Sequence, residues 1–168
     1  MSKVIFDGKG FKAEKLCAKQ FRGETVSSKH LQYKDIDCYV NTLRGVRYSA
    51  SVKDQTYSTK KGYDTIQIEL EQTNTRNNKT ILGCFLKNES DYYFWLVWYE
   101  GKTQWIIIKS DVLKEYVNTH KEALKTWTTS HYTEAKNRQY NRTYDRSSGV
   151  MIKISDIAKL GEVKELKV

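Results

Sequence analysis

The sequence has no proline, only three histidines and three cysteines, and no long apolar run in its 168 residues. Without such a run there is no stretch that reads as a secretory leader or a membrane span. The expectation is a soluble intracellular protein with no membrane partner, in the cytoplasm of a bacterium or a phage-infected cell. Cys17, Cys38 and Cys84 match no zinc-ligand spacing, and an odd count argues against a secreted disulfide scaffold. They read as reduced and mostly buried small apolar residues. His30, His120 and His131 are scattered with no nucleophile beside them, which sets aside a histidine-based hydrolase. The lack of proline, with abundant Lys, Asn and Tyr, points to a phage or an AT-rich bacterial genome.

What is abundant is positive charge. Lys and Arg number 29 against 20 Asp and Glu, a formal net charge of +9. That excess favours a polyanionic partner, nucleic acid first and a membrane surface second. The length suits one domain with a real core. Within it, about 126–149 reads as an insert with few aliphatics, where Lys136, Arg138, Arg142 and Arg146 interleave with Tyr132, Tyr140 and Tyr144. The functional reading is a mobile segment that orders on nucleic acid, guanidiniums to phosphates and rings to bases. The alternative is a solvated surface loop. Lys136, Arg138, Tyr140, Arg142, Tyr144 and Arg146 are the candidate nucleic-acid contacts.

Along the chain, Lys3 to Phe6 reads as a short strand and Phe11 to Phe21 as a helix ended by Gly23. Glu24 to Gln32 reads as a loop. Two period-two runs follow, Ile36 to Asn41 and Val46 to Lys53, joined at Leu43-Arg44-Gly45. Thr65 to Gln72 alternates again, with Ile66, Ile68 and Leu70 against Gln67, Glu69 and Glu71. Thr80 to Leu86 is a short apolar segment. The run Tyr92 to Tyr99 is apolar on both faces and so expected at the centre of a sheet, hairpinned to Thr103–Lys109 through Glu100-Gly101-Lys102. Ser110 is expected to cap a helix carrying Leu113 and Val117, and Ser155 a last one carrying Ile157. The tail from Glu162 is expected to fray. The sum is an α/β domain, a mixed central β-sheet flanked by helices.

The chemistry centres on the first hairpin. If Thr42 faces Val46 across the turn, Asp37 falls opposite Ser51, on the face that also carries Lys53. Asp35 lies two residues before Asp37. Carboxylates beside a lysine on adjacent strands suit metal-assisted phosphodiester hydrolysis. Mg²⁺ (or Mn²⁺) takes oxygen ligands, lowers the pKa of bound water and stabilises charge on phosphate, while the lysine positions water or neutralises charge. Gln55, two residues beyond Lys53, has the reach to contact phosphate or water.

A glutamate on an N-terminal helix (Glu14), an aspartate on a strand (Asp37) and a lysine on the next strand (Lys53) resemble the PD-(D/E)XK nuclease superfamily. The likeness is greatest to phage and archaeal Holliday-junction resolvases and restriction-endonuclease-like folds, and covers roughly the first half of the chain. It implies a restriction-endonuclease-like fold, Mg²⁺-dependent endonuclease action on branched or duplex DNA, and a homodimer. The chain departs from the pattern at Ser51, where a second acid belongs. Either the acid has moved, to Glu69 or to Glu71 if the third strand lies beside the second, or the site is weakened. Asp37, Glu69 and Glu14 are thus the expected metal ligands, with Lys53, Glu71 and Gln55 completing the candidate catalytic set. Two other classes stay open: a non-catalytic nucleic-acid-binding protein on a decayed nuclease scaffold, and a phage protein-interaction module using the aromatic surface.

Overall fold

The computed structural model describes residues 9–130 and 146–168. The expected strand at Lys3–Phe6, and Lys136, Arg138, Tyr140, Arg142 and Tyr144, lie outside the described residues. The elements run α1 (Lys9–Gln20), β1 (Glu24–Thr25), α2 (Lys29–Tyr33), β2 (Cys38–Asn41), β3 (Arg47–Asp54), α3 (Thr56–Lys60), β4 (Thr65–Asn74), β5 (Lys79–Leu82), α4 (Cys84–Lys87), β6 (Tyr92–Tyr99), β7 (Lys102–Lys109), α5 (Ser110–His120), β8 (Lys125–Ser130), β9 (Arg146–Lys153), α6 (Ile154–Leu160) and β10 (Glu162–Glu165).

The first hairpin has the expected register. Cys38 faces Ala50 and Asn41 faces Arg47, and the Thr42 amide donates to the Val46 carbonyl at 2.9 Å. Gly45 takes φ +81°, the left-handed conformation that the third loop position requires. β3 then pairs in parallel with β6, while the other ladders of this sheet are antiparallel, giving a mixed six-stranded sheet in the order β1-β2-β3-β6-β7-β10.

Both faces of that sheet are covered, which is why β6 is apolar on both sides. One face lays Cys38, Val40, Ala50, Val52, Phe94, Leu96 and Trp105 against Ala13 and Cys17 of α1. The other lays Tyr93, Trp95, Val97, Ile106 and Ile108 against Ile66, Ile68, Val150 and Ile152 of a second sheet, and against Leu113, Val117 and Ile157 of α5 and α6. Each buried aliphatic or aromatic side chain contributes about 1.5–3 kcal/mol to this packing.

The second sheet is the main departure from expectation. β4 does not lie beside β3; it belongs to an antiparallel sheet ordered β5-β4-β9-β8. Ile66 and Ile68 do point inward, but period two alone does not say which sheet an amphipathic strand joins. The ends of the 126–149 stretch are strands, β8 and the start of β9, paired to each other.

Smaller corrections follow from local geometry. Arg22, not Gly23, takes the left-handed conformation after α1. Glu24 to Gln32 includes β1 and the start of α2. Residues 80–86 divide between β5 and α4. Ser110 and Ser155 do not cap: α5 and α6 start after Lys109 and Lys153, and neither has a side-chain cap. The tail pairs as β10 with β7 rather than fraying, and Gln20 ties it down, donating to the Glu165 carbonyl and accepting from the Lys167 amide and Trp105. Among the described residues no helix is long and apolar enough to cross a membrane.

Candidate functional site

Asp37 stands just before β2, at the end of the sheet where β3 finishes. Its backbone amide donates to the Ala50 carbonyl, continuing the β2–β3 pairing, and its Oδ2 accepts from the Val52 amide at 2.7 Å. Burial pushes its carboxyl up. Lys53 opposes that rise, Asp35 adds to it, and the Val52 amide and nearby Ser51 hydroxyl pull it down. Ser51 is fully buried, and its Oγ makes no hydrogen bond of good geometry.

Glu14 stands on the middle of α1, a helix whose Ala13 and Cys17 are fixed in the core, near enough to Asp37 and Lys53 to feel their charges. It is half-buried. Its carboxyl is pushed up to about 7, first by burial and then by the charge of Asp37, with Lys53 acting against both. Two acids and one ammonium therefore feel one another across α1, β2 and β3.

Lys53 is held by a residue outside the expected catalytic set. Its Nζ lies 2.5 Å from Asp35 Oδ1, with side chains 24% and 7% exposed respectively. Burial works against the ammonium, but Asp35 above all, with Cys84 and Asp37, holds its pKa above the usual lysine range. Asp35 has φ +58°, so its backbone sits in the left-handed region as it delivers the carboxylate inward. Its Oδ2 accepts from Asn88 Nδ2 at 3.1 Å. Asn88 Nδ2 also donates to Ser90 Oγ, which meets Ser110 Oγ at 3.1 Å, and the Asn88 carbonyl accepts from Lys114 at 2.6 Å. A buried polar chain thus runs from the lysine to the first turn of α5.

Above Asp35 lies Tyr93, opposite Ser51 in the β3–β6 ladder and stacked on Phe85 of α4. Its hydroxyl is buried, and burial, the Asp35 charge and a hydrogen bond to Asp35 raise its pKa far above normal. Ser51 and Tyr93 thus turn their hydroxyls towards Asp37 and Asp35 respectively, while Trp95 Nε1 and Gln55 Oε1 are buried without a partner.

Asp37 lies opposite Ser51 on the face that carries Lys53, and Glu14 feels the charge of both Asp37 and Lys53. Glu69 and Glu71 lie on β4, in the other sheet and not beside β3. Glu69 is still tied to the Lys53 end through Cys84, whose thiol feels Lys53, Asp35 and Glu69 together. Its Oε1 accepts from the Cys84 amide and Gln72, both at 3.1 Å, and its Oε2 accepts from Ser147 at 2.7 Å. A register shift between Glu69 and Glu71 separates the two in their pairing with β9, and Glu71 is exposed beside β5. Arg146 is exposed at the first position of β9. Among the described residues no group of three His, Cys, Asp or Glu side chains is placed to hold a metal ion. All three cysteines are free. Sequence reasoning left Asp35 at the margin although its spacing put it on the Asp37 face. Asn88 and Tyr93 carry no local signal, since only the parallel β3–β6 pairing brings them near.

No protein-family model matches this sequence, and no curated protein matches it. Among solved structures, a bacterial homing endonuclease, I-Ssp6803I, is similar, with a TM-score of 0.46 and 19% identity over 64% of this chain and 71% of that chain.

Proposed function

We propose that this chain is a divalent-metal-dependent endonuclease of the PD-(D/E)XK kind, acting on DNA, with Glu14, Asp37 and Lys53 carrying its chemistry. The observation behind the reading is Asp37 beside β3, bound to the Val52 amide and on the face of Lys53, with the Asp37 charge also helping to lift Glu14 of α1. Like charges held together in partial burial are what a divalent cation relieves. The buried Ser51 hydroxyl, which acts on Asp37, adds a neutral oxygen. Mg²⁺ is commonly held by one or two carboxylates, with water and substrate phosphate filling the remaining positions, so this donor set fits Mg²⁺ or Mn²⁺. When bound, such a cation supplies Lewis acidity and lowers the pKa of a coordinated water.

The protein side chains then divide the remaining work. Lys53 keeps its proton near neutral pH, because its pKa is held above the usual range. It therefore acts as a fixed positive charge toward the phosphate, and does not serve as a general base. Asp35, backed by Asn88, sets where that charge points. Gln55 Oε1, just beyond β3, is buried and has no hydrogen-bond partner. Glu69 is left to brace α4. The basic Tyr/Arg-rich stretch and the net charge of +9 supply the grip on DNA, and a homodimer would present two such sites to two strands.

One observation favours a second reading, a non-catalytic DNA-binding protein. Ser51 stands where an acid belongs, and Glu69 is already committed to other partners. Labelled four-way junction and linear duplex, incubated with Mg²⁺ or Mn²⁺, separate the two. Cleavage by wild type that Asp37→Asn and Lys53→Met abolish supports the nuclease. Tight binding by wild type with no cleavage in either metal overturns it.

A further inference from the structure

A cleft of about 530 Å³ opens between the end of α2, the end of α4 and the β4–β5 ladder, lined by Tyr33, Glu71, Thr80, Ile81, Leu82 and Lys87. Its volume falls in the range of small-ligand sites. Tyr33 is 68% exposed, and Lys87 Nζ lies 4.8 Å from its ring centroid. Leu82, 54% exposed, adds an apolar wall, and Glu71 is the carboxylate of the set.

The cleft abuts the candidate active site through the chain itself. Tyr33 is followed by Lys34 and then by Asp35, which holds Lys53. Lys87 is followed by Asn88, which donates to Asp35. Two walls of the cleft are thus one or two residues along the chain from the groups that hold Lys53.

We propose that this cleft binds a single unpaired nucleobase bearing an exocyclic amine, next to the phosphate held at the Lys53 end of the sheet. The proposal rests on the nuclease reading for its substrate and adds the feature recognised: DNA with a bulged or otherwise unstacked base. The chemistry of the lining matches that ligand. The Tyr33 face stacks on a base. Leu82 and Ile81 cover its other apolar surface. Lys87 complements the adjoining phosphate, and the Glu71 carboxylate accepts from an amino group, as on cytosine N4. A carboxylate rejects thymine, which presents a carbonyl at the same position.

The test measures binding without divalent metal, so that it does not depend on cleavage. Fluorescence anisotropy is recorded for labelled duplexes carrying a central bulged cytosine, bulged thymine or bulged abasic site, and for a fully paired duplex. Wild type is expected to bind the cytosine bulge about ten-fold more tightly than the abasic bulge. Tyr33→Ala is expected to remove that preference while leaving paired-duplex affinity unchanged, since the ring is exposed and its loss spares the core. Glu71→Gln is expected to bring thymine and cytosine bulges together. Equal affinity of wild type for bulged cytosine, abasic and paired DNA overturns the proposal, as does failure to bind any of them. Bulge selectivity in a protein that never cuts retains the cleft and removes the nuclease. Cleavage of duplex without bulge selectivity does the reverse.

Discussion

Glu14 offers the sharpest physical test, because its titration reports on whether a cation belongs beside it. Its carboxyl moves from 4.5 to about 7 on folding, through burial and the charge of Asp37. A carboxyl raised in the folded state is favoured there in its protonated form. Below about pH 4.5 it is protonated in both states and its stability contribution is intact. As pH rises from 4.5 towards 7 the unfolded chain releases the proton first, so stability falls, and the loss is complete above 7. The full linkage for that displacement is about 3.4 kcal/mol. Glu14 is only half-buried, so solvent screening reduces this to about 1–2 kcal/mol. For a chain of this size that corresponds to a melting-temperature drop of about 2–8 °C. The raised carboxyl of Asp37 acts in the same direction. Melting curves at constant ionic strength in EDTA, from pH 5 to pH 8, should show the drop in wild type and a flatter profile in Glu14→Gln. Millimolar Mn²⁺ or Mg²⁺ should stabilise wild type most at the upper end of the window, because a cation supplies the opposite charge the acids lack, and should leave Glu14→Gln nearly unmoved. The reasoning fails if Glu14→Gln keeps the full wild-type slope. It also fails if neither cation raises the melting temperature at pH 8.

Asp37→Asn should reduce turnover by on the order of 10²–10³-fold while leaving metal-free DNA affinity within two-fold, measured by single-turnover cleavage and anisotropy. Lys53→Met strands the Asp35 carboxylate, 7% exposed, without its ion partner, and should cost about 3–5 kcal/mol in urea unfolding. Asp35→Asn in the same chain should recover most of it, and no recovery would mean that the pair is not what holds this end of the sheet. Gly149→Ala places a Cβ 1.8 Å from the Ile68 carbonyl oxygen, where β9 crosses β4 beside the register shift, and should destabilise by about 1–3 kcal/mol or more. DNA affinity should fall steeply between 50 and 200 mM salt, the mark of phosphate contacts; a flat salt profile would favour a protein-interaction module instead.

The hairpin from Asp37 to Lys53 was legible from its residues. Period-two alternation on both arms and a loop ending in glycine fix a register locally, since slipping it by one residue would turn the whole apolar set outward. That register alone put Asp37 opposite Ser51 and on the face of Lys53. The apolar character of Tyr92–Tyr99 announced a strand covered on both faces. Glu14 came from the resemblance to the nuclease superfamily and not from the pattern of its helix. The hairpin and the covered strand depend on neighbours a few residues apart, and local sterics with side-chain hydrophobicity determine them.

What the tertiary structure decided is which strands meet. Thr65–Asn74 and Tyr92–Tyr99 both had the pattern of a partner for β3, and only long-range packing assigned the parallel place to β6 and sent β4 to a second sheet. That choice put Glu69 and Glu71 on the second sheet, brought Tyr93 and Asn88 to Asp35, and turned Asp35 inward through a left-handed backbone that no residue pattern announces. The physical reason is that an alternating strand specifies a buried face and leaves its neighbour open. The neighbour is fixed by how two apolar layers and a helix fill space together, which is a property of the assembled core.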